Sequence, residues 1–370
     1  MSEAFRAGLS DEQDIHTREI EPIPGSMGFV FSGQGLSSRG ALYEHATALS
    51  TINPSVVARN IGLMADASGL PLFKYIEDKD EYVLGGTHVV QAMIHGFHLA
   101  AIELLEPHLS ALNHVRITAG HSAGEIAAMV AAEVISPEDS ARVMAERGRL
   151  MHEASQKTET GLIIPLGFDV RKAEQVVDQT TEMLIYFQDK EMVEENRDLF
   201  QAVANSQHVS LDELLNILRN DHFINIALEN EPNVNVLGGT KTALNFGREI
   251  ALRSGARRVL DVDAEGAFHT EAMRPAAGEF GKFFRRITLH RPRFRVALNN
   301  GSLADMPYEM IHSHIGRMTR TSEWTKTMGR LNAIERVVKI GPGGQVPGVS
   351  EANGIPKDRQ TTIVDFLTVS

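Results

Sequence analysis

One stretch, Ala119-Gly-His-Ser-Ala-Gly-Glu125, constrains this chain more than any other. Ahead of it, His114-Val-Arg-Ile-Thr118 mixes β-branched with polar residues, as a short strand does. Behind it, Ile126-Ala-Ala-Met-Val-Ala-Ala132 is a run of good helix formers. Gly120-x-Ser122-x-Gly124 therefore falls where a strand turns sharply into a helix, the setting of a nucleophile elbow. The glycines allow the tight turn, and the serine hydroxyl sits at the positive end of the helix, where a developing anion is favoured. The pentapeptide by itself arises by chance in roughly one chain in ten of this length. A plain glycine-rich turn is the alternative, and the rest of the chain must supply a base, an oxyanion hole and a grip on substrate.

Strands punctuated by glycine alternate with helical runs, so the expected class is α/β, and 370 residues with 42% hydrophobic content can bury a substantial core. Met27-Gly-Phe-Val-Phe-Ser32 reads as a buried strand entering the Gly33-Gln34-Gly35 loop. That loop lacks the G-x-G-x-x-G spacing and no Walker lysine follows, so it suits a backbone approach to a neighbouring site better than a nucleotide. Residues 1–25 read as an N-terminal extension. Between 156 and 262 the pattern strand–helix–strand–strand–helix–strand predicts a ferredoxin-like small domain inserted in the larger one, which takes 26–155 and 263–370. A segment at about 183–222, rich in acids and helix formers, reads as a peripheral helical insertion in that small domain, with Ser210-Leu-Asp-Glu213 as a capping box.

A net charge of -12 argues against general nucleic-acid binding, and with no cysteine the chain has neither disulfides nor thiolate chemistry. The first 21 residues carry no apolar run of signal length and no segment reads as a membrane span, so a soluble, cytoplasmic protein is expected. His95 and His98, at i, i+3 in the apolar run 87–105, have the spacing of metal ligands, but no carboxylate signature accompanies them and helix packing is the better reading. No metal is expected. A serine nucleophile needs a base near neutral pH, and fifteen histidines compete. His269, in the loop Gly266-Ala-Phe-His-Thr270, stands out locally, whereas His88, His95, His98, His152, His312 and His314 read as structural or exposed.

Taken together, the motifs resemble the malonyl-CoA:acyl-carrier-protein transacylase family, which includes the acyltransferase domains of polyketide synthases. Phe31-Ser-Gly-Gln-Gly35 resembles its first-strand loop, Gly120-His-Ser-Ala-Gly-Glu125 its elbow and Arg147-Gly-Arg-Leu-Met151 its carboxylate-binding segment. Ala267-Phe-His269 with Met273-Arg-Pro-Ala-Ala277 resembles the histidine segment, and Ala297-Leu-Asn-Asn-Gly301, Trp324-Thr-Lys326 and Ile340-Gly-Pro-Gly343 the closing part. The resemblance implies an α/β-hydrolase-like large domain with a parallel sheet. It implies ping-pong transfer from an acyl-CoA to the phosphopantetheine thiol of an acyl carrier protein, in fatty-acid or polyketide synthesis. The group moved is malonyl or a similar dicarboxylyl; the alternatives are a proofreading hydrolase of carrier-protein thioesters and a transferase of a different acyl group between carrier proteins.

By the same resemblance Ser122 is the nucleophile and His269 its base, oriented by a backbone carbonyl near Arg317. Backbone N–H groups of Gln34 and Ala123 form the oxyanion hole, and Arg147 grips a free carboxylate. Phe268 stands before the histidine as in malonyl-selective relatives. The family works as monomers without a cofactor. Three departures stand out. Ser32 replaces a common proline, His88 follows Thr87 where the family often reads Thr-Gln-Pro and so is placed at the pocket, and Leu228 stands near a usual asparagine. Lys282 to Arg295 holds six Lys/Arg in fourteen residues, either a carrier-docking face or a solvated one.

Overall fold

A computed structural model describes residues 21–34, 39–78, 86–109, 115–342, 346 and 348–369. Gly35, His114, Gly343 and residues 1–20 lie outside them. The first strand, β1 (Ile23–Phe31), begins inside the expected extension, and its second half, Ser26–Phe31, is a continuous buried run. Continuous burial is what a central parallel strand requires, since both faces are covered.

The large sheet is mixed and mostly parallel. β1 lies between β2 (Val115–Gly120) and β9 (Ile334–Ile340), parallel to both. β7 (Arg295–Ala297) extends the β2 side and β10 (Gln360–Thr362) the β9 side, also in parallel. β8 (Leu303–Ala304) closes one edge antiparallel to β7. The order is β10-β9-β1-β2-β7-β8. The chain thus leaves β1 for β2 on one side and returns as β9 on the other. Ligands in open α/β sheets bind outside the carboxyl ends of strands at such a reversal, and the Ser122 turn follows the carboxyl end of β2.

Helices cover the sheet on both sides. The elbow helix Gly124–Ala131 is buried at every residue. Helix Pro137–Ser155 starts with Pro137 in its first turn and with Ser136 accepting from the Asp139 amide at 3.1 Å, a satisfied N-cap. Helix Thr87–Leu109 corrects one expectation: by length and composition its first 21 residues match a membrane span, yet 78% of the most apolar window is buried inside the protein.

A second, antiparallel sheet is built from β3 (Thr160–Pro165), β4 (Ile224–Glu231), β5 (Val234–Thr240) and β6 (Val259–Asp261) in the order β4-β5-β3-β6. With helices Val170–Tyr186 and Lys241–Arg253, this is the order of a split βαβ unit. The segment expected as a peripheral helical insertion packs one face into the core of the small sheet, while its helix Lys190–Glu195 buries no residue. It forms helices Lys190–Glu195, Arg197–Ser206 and Leu211–Ile217. Leu199, Phe200, Val203, Ala204 and Leu214 are buried in the hydrophobic cluster of the small sheet, with the Phe200 ring edge-on to Phe246 at 5.1 Å. Acidic content marked only the outer faces of these helices; the amphipathic repeat within them sets their place.

Candidate active site

The turn after β2 is dictated by close approach. A Cβ on Gly120 would stand 2.0 Å from the Gly124 carbonyl, and one on Gly124 would stand 2.5 Å from the Ser32 carbonyl oxygen. Between them Ser122 takes a φ of 50°, the left-handed region that a non-glycine residue rarely adopts. Asn299 holds it there: its Oδ1 accepts from the Ser122 amide at 3.0 Å and its Nδ2 donates to the Gly120 carbonyl at 2.9 Å. The Asn299 amide in turn donates to Glu125 at 3.0 Å. Strain of this kind persists only when the surroundings over-determine it.

His269, also at positive φ (60°), places Nε2 2.8 Å from Ser122 Oγ. Its Nδ1 is 2.6 Å from the Arg317 carbonyl oxygen. A carbonyl only accepts, so Nδ1 carries the hydrogen and Nε2 faces the serine with a lone pair. Arg317 is itself tied to Glu323 at 2.7 Å, which holds its carbonyl in place. Burial, with the Arg147 charge adding to it, pushes His269 down to about 3, so the ring is neutral at physiological pH. Of the two aspartates near in sequence, Asp261 pairs with Arg248 and Asp263 lines the adjoining cleft.

Arg147 is 1% exposed and reaches the same serine. Its Nη2 is 3.3 Å from Ser122 Oγ, Nη1 donates to Gln91 Oε1 at 2.7 Å, and Nε donates to His314 Nε2 at 3.2 Å. Burial pushes the guanidinium down to about 10, opposed by Glu125, so it stays charged. Of five N–H groups, three bond to described residues, which leaves one on each Nη, the pair that suits a carboxylate.

A cleft opens over Ser122 and His269, with the buried Arg147 behind the serine and not among its lining residues. Ser122, His269, Gln34 and Gln91 supply its polar side, and Leu162, Ile164, Leu228 and Val236 of the small sheet, with Phe268, its apolar wall. Gln34 is anchored by its side chain, donating to Thr87 Oγ1 and accepting from Gln91, both at 3.3 Å. Ala123 is buried at the head of the elbow helix, and no described residue accepts its amide hydrogen. Leu228 is part of the wall, while Asn230, two residues on along the strand, bonds the ring of His121 at 2.9 Å.

His88, expected at the pocket, is not among the lining residues. Its ring lies against His152, centroids 4.2 Å apart, and its backbone passes close to Gly148, where a Cβ would stand 3.0 Å from His88 Cα. His95 and His98 bond Ser140 (2.9 Å) and Ser32 (3.3 Å). Among the described residues no three His, Asp or Glu side chains are grouped to hold an ion. Sequence reasoning missed Gln91, Asn299 and His314. The first sits one helical turn beyond Thr87 and shares its face, a signal open to reading; Asn299 stands in the motif Ala297–Gly301, but its task, like that of His314, is set by contacts across the fold.

Comparison with known proteins places this geometry. The family model for the acyl transferase domain matches residues 28–186, from β1 through the elbow and Arg147. A malonyl CoA-acyl carrier protein transacylase of Bacillus subtilis is 29% identical over 63% of this chain, and the match spans 62% of that relative. Over residues 28–186 the chain is similar to the acyl transferase domain. Among solved structures, the fold recurs in a malonyl-CoA:acyl carrier protein transacylase of Xanthomonas oryzae. The TM-score is 0.73 at 22% identity, covering 93% of this chain and 97% of that one. A malonyl-transacylase in complex with a type II polyketide synthase acyl-carrier protein follows with a TM-score of 0.71 at 21% identity, covering 91% and 94%.

A second cleft also borders His269 and is lined by Arg274, Arg320 and Glu271, the first and last paired at 3.7 Å. The basic stretch 282–295 is partly neutralised where it stands, Lys282 by Glu279 at 2.7 Å and Arg293 by Glu133 at 2.9 Å.

Proposed function

We propose that this acyltransferase moves a malonyl group from CoA to the phosphopantetheine thiol of an acyl carrier protein through an acyl-serine at Ser122. One observation carries the reading: a single serine oxygen lies within 2.8 Å of a neutral histidine and 3.3 Å of a buried arginine. His269 Nε2 takes the Ser122 proton as Oγ attacks the thioester carbonyl. The oxyanion is held by the amides of Ala123 and Gln34, donors whose individual loss typically costs roughly 10²–10³-fold in rate. Collapse breaks the C–S bond and His269 returns the proton to the departing CoA thiolate. The carrier thiol then gives its proton to His269 and attacks the ester, and Ser122 leaves as an alkoxide that the same imidazolium reprotonates.

Arg147 binds the distal malonyl carboxylate through its two remaining Nη hydrogens. Phe268 and the apolar wall narrow the space beside the acyl α-carbon, which favours malonyl over its methyl homologue by about 1–3 kcal/mol. The chain's own groups supply nucleophile, base and donors, so the scheme uses no cofactor. The carrier protein approaches by the polar cleft, where Arg320 stands beside the Arg274–Glu271 pair and offers an acidic partner a positive contact. The enzyme is read as a cytoplasmic monomer.

Intact-protein mass spectrometry tests this directly. Malonyl-CoA should add one malonyl to the wild type, none to Ser122→Ala, and the adduct should pass to a holo carrier protein. An adduct lost to water at one rate with or without carrier would instead identify a hydrolase.

A further inference from the structure

We propose that His314 is a positioning residue for the carboxylate grip, holding Arg147 from behind so that its Nη edge stays open to substrate. The proposal rests on the reading of Arg147 given above. His314 lies on helix Pro307–Met318 and is 3% exposed, so its polar atoms have no water to fall back on. Its Nε2 is 3.2 Å from Arg147 Nε and its Nδ1 is 2.6 Å from Glu125 Oε2. An arginine Nε–H can only donate, so Nε2 must be the bare nitrogen and Nδ1 the protonated one, donating to the carboxylate. One tautomer satisfies both contacts. Burial lowers the affinity of the ring for a second proton, with Glu125 opposing, and the ring of Phe280, 5.8 Å away, closes its apolar side.

The chain Glu125–His314–Arg147 solves a problem of charge. A buried guanidinium needs a nearby anion, because an uncompensated interior charge is strongly destabilising. A carboxylate bonded directly to the Nη fork would meet that need but occupy the surface a malonyl carboxylate has to use. The imidazole acts as a spacer. Glu125 polarises the ring, the ring accepts from Nε, and the anion stands one residue behind. Glu125 is itself fixed by the Asn299 amide at 3.0 Å, so the grip and the serine turn share one anchor.

The test compares kcat/KM for Ser122 acylation by malonyl-CoA and acetyl-CoA in the full chain. His314→Leu should lower the malonyl-to-acetyl ratio about 10- to 100-fold, the range expected when a hydrogen bond to a charged group is lost, mainly through KM for malonyl-CoA. His314→Gln, whose amide offers one acceptor and one donor, should restore most of it. A general structural role would lower both substrates alike, and that result overturns the proposal. So does an unchanged ratio in His314→Leu when Arg147→Ala lowers it. If Arg147→Ala leaves the ratio unchanged, the carboxylate grip itself fails and this proposal with it. Nitrogen-15 NMR of the unsubstituted protein decides the matter even where His314→Leu does not fold. A bare Nε2 with protonated Nδ1 supports the tether, and a protonated Nε2 rules it out.

Discussion

At the scale of single residues, the chemistry turns on histidines held neutral. His269 is pushed down to about 3, against an ordinary value of 6.5, chiefly by burial. A general base works in its unprotonated form. Since the folded protein keeps that form well below 6.5, initial rates of Ser122 acylation should stay flat from about pH 8 to about pH 5.5. A stopped-flow or quenched-flow profile that halves near 6.5 would contradict this assignment. Ser122, His269 and Arg147 were legible because each sits in a short motif with its own chemistry. Asn299 was quoted in a motif but its task was not, because a clamp on a strained turn becomes visible only when the turn and the clamp are in one frame. His314 was set aside as structural or exposed for the same reason: it lies 189 positions from Glu125 along the chain.

Elements tell a similar story. Strand, sharp turn and helix around Ser122 follow from residue types over a dozen positions, and the β–α–β–β–α–β pattern of the small sheet follows from periodicity. In the 183–222 segment charge is the more visible signal, but spacing sets how its helices pack. Leu199, Phe200 and Val203 stand at i, i+1 and i+4, one apolar face of a helix, and that face meets Phe246. Phe200→Ala should therefore destabilise the protein by about 3–5 kcal/mol in denaturant unfolding. No residue of 183–222 lines the cleft around Ser122, so kcat/KM measured well below the melting temperature should stay within about twofold. A selective loss of malonyl transfer with unchanged stability would show that the segment serves the acyl pocket instead.

For the molecule as a whole, burying imidazoles makes stability depend on acidity. His45 and His121 are pushed down to about 4 and His95 to about 3, in each case chiefly by burial. The unfolded chain binds these protons from 6.5 downward and the folded chain does not, so the contribution is complete above 6.5 and is lost as pH falls from there toward 4. Each site contributes a slope of up to about 1.4 kcal/mol per pH unit in that window. The urea midpoint should fall by an amount equivalent to several kcal/mol between pH 7 and pH 5, and a midpoint that does not move would refute it.

The support behind His269 has a different consequence, one of timing. A charged partner would stabilise imidazolium strongly and make the ring eager to pull a proton from any water that entered. The Arg317 carbonyl at 2.6 Å offers only a peptide dipole. In the proposed reaction the ester on Ser122 would thus be guarded by a patient base, and the loaded protein would be a waiting state whose lifetime is set by the arrival of a better nucleophile than water.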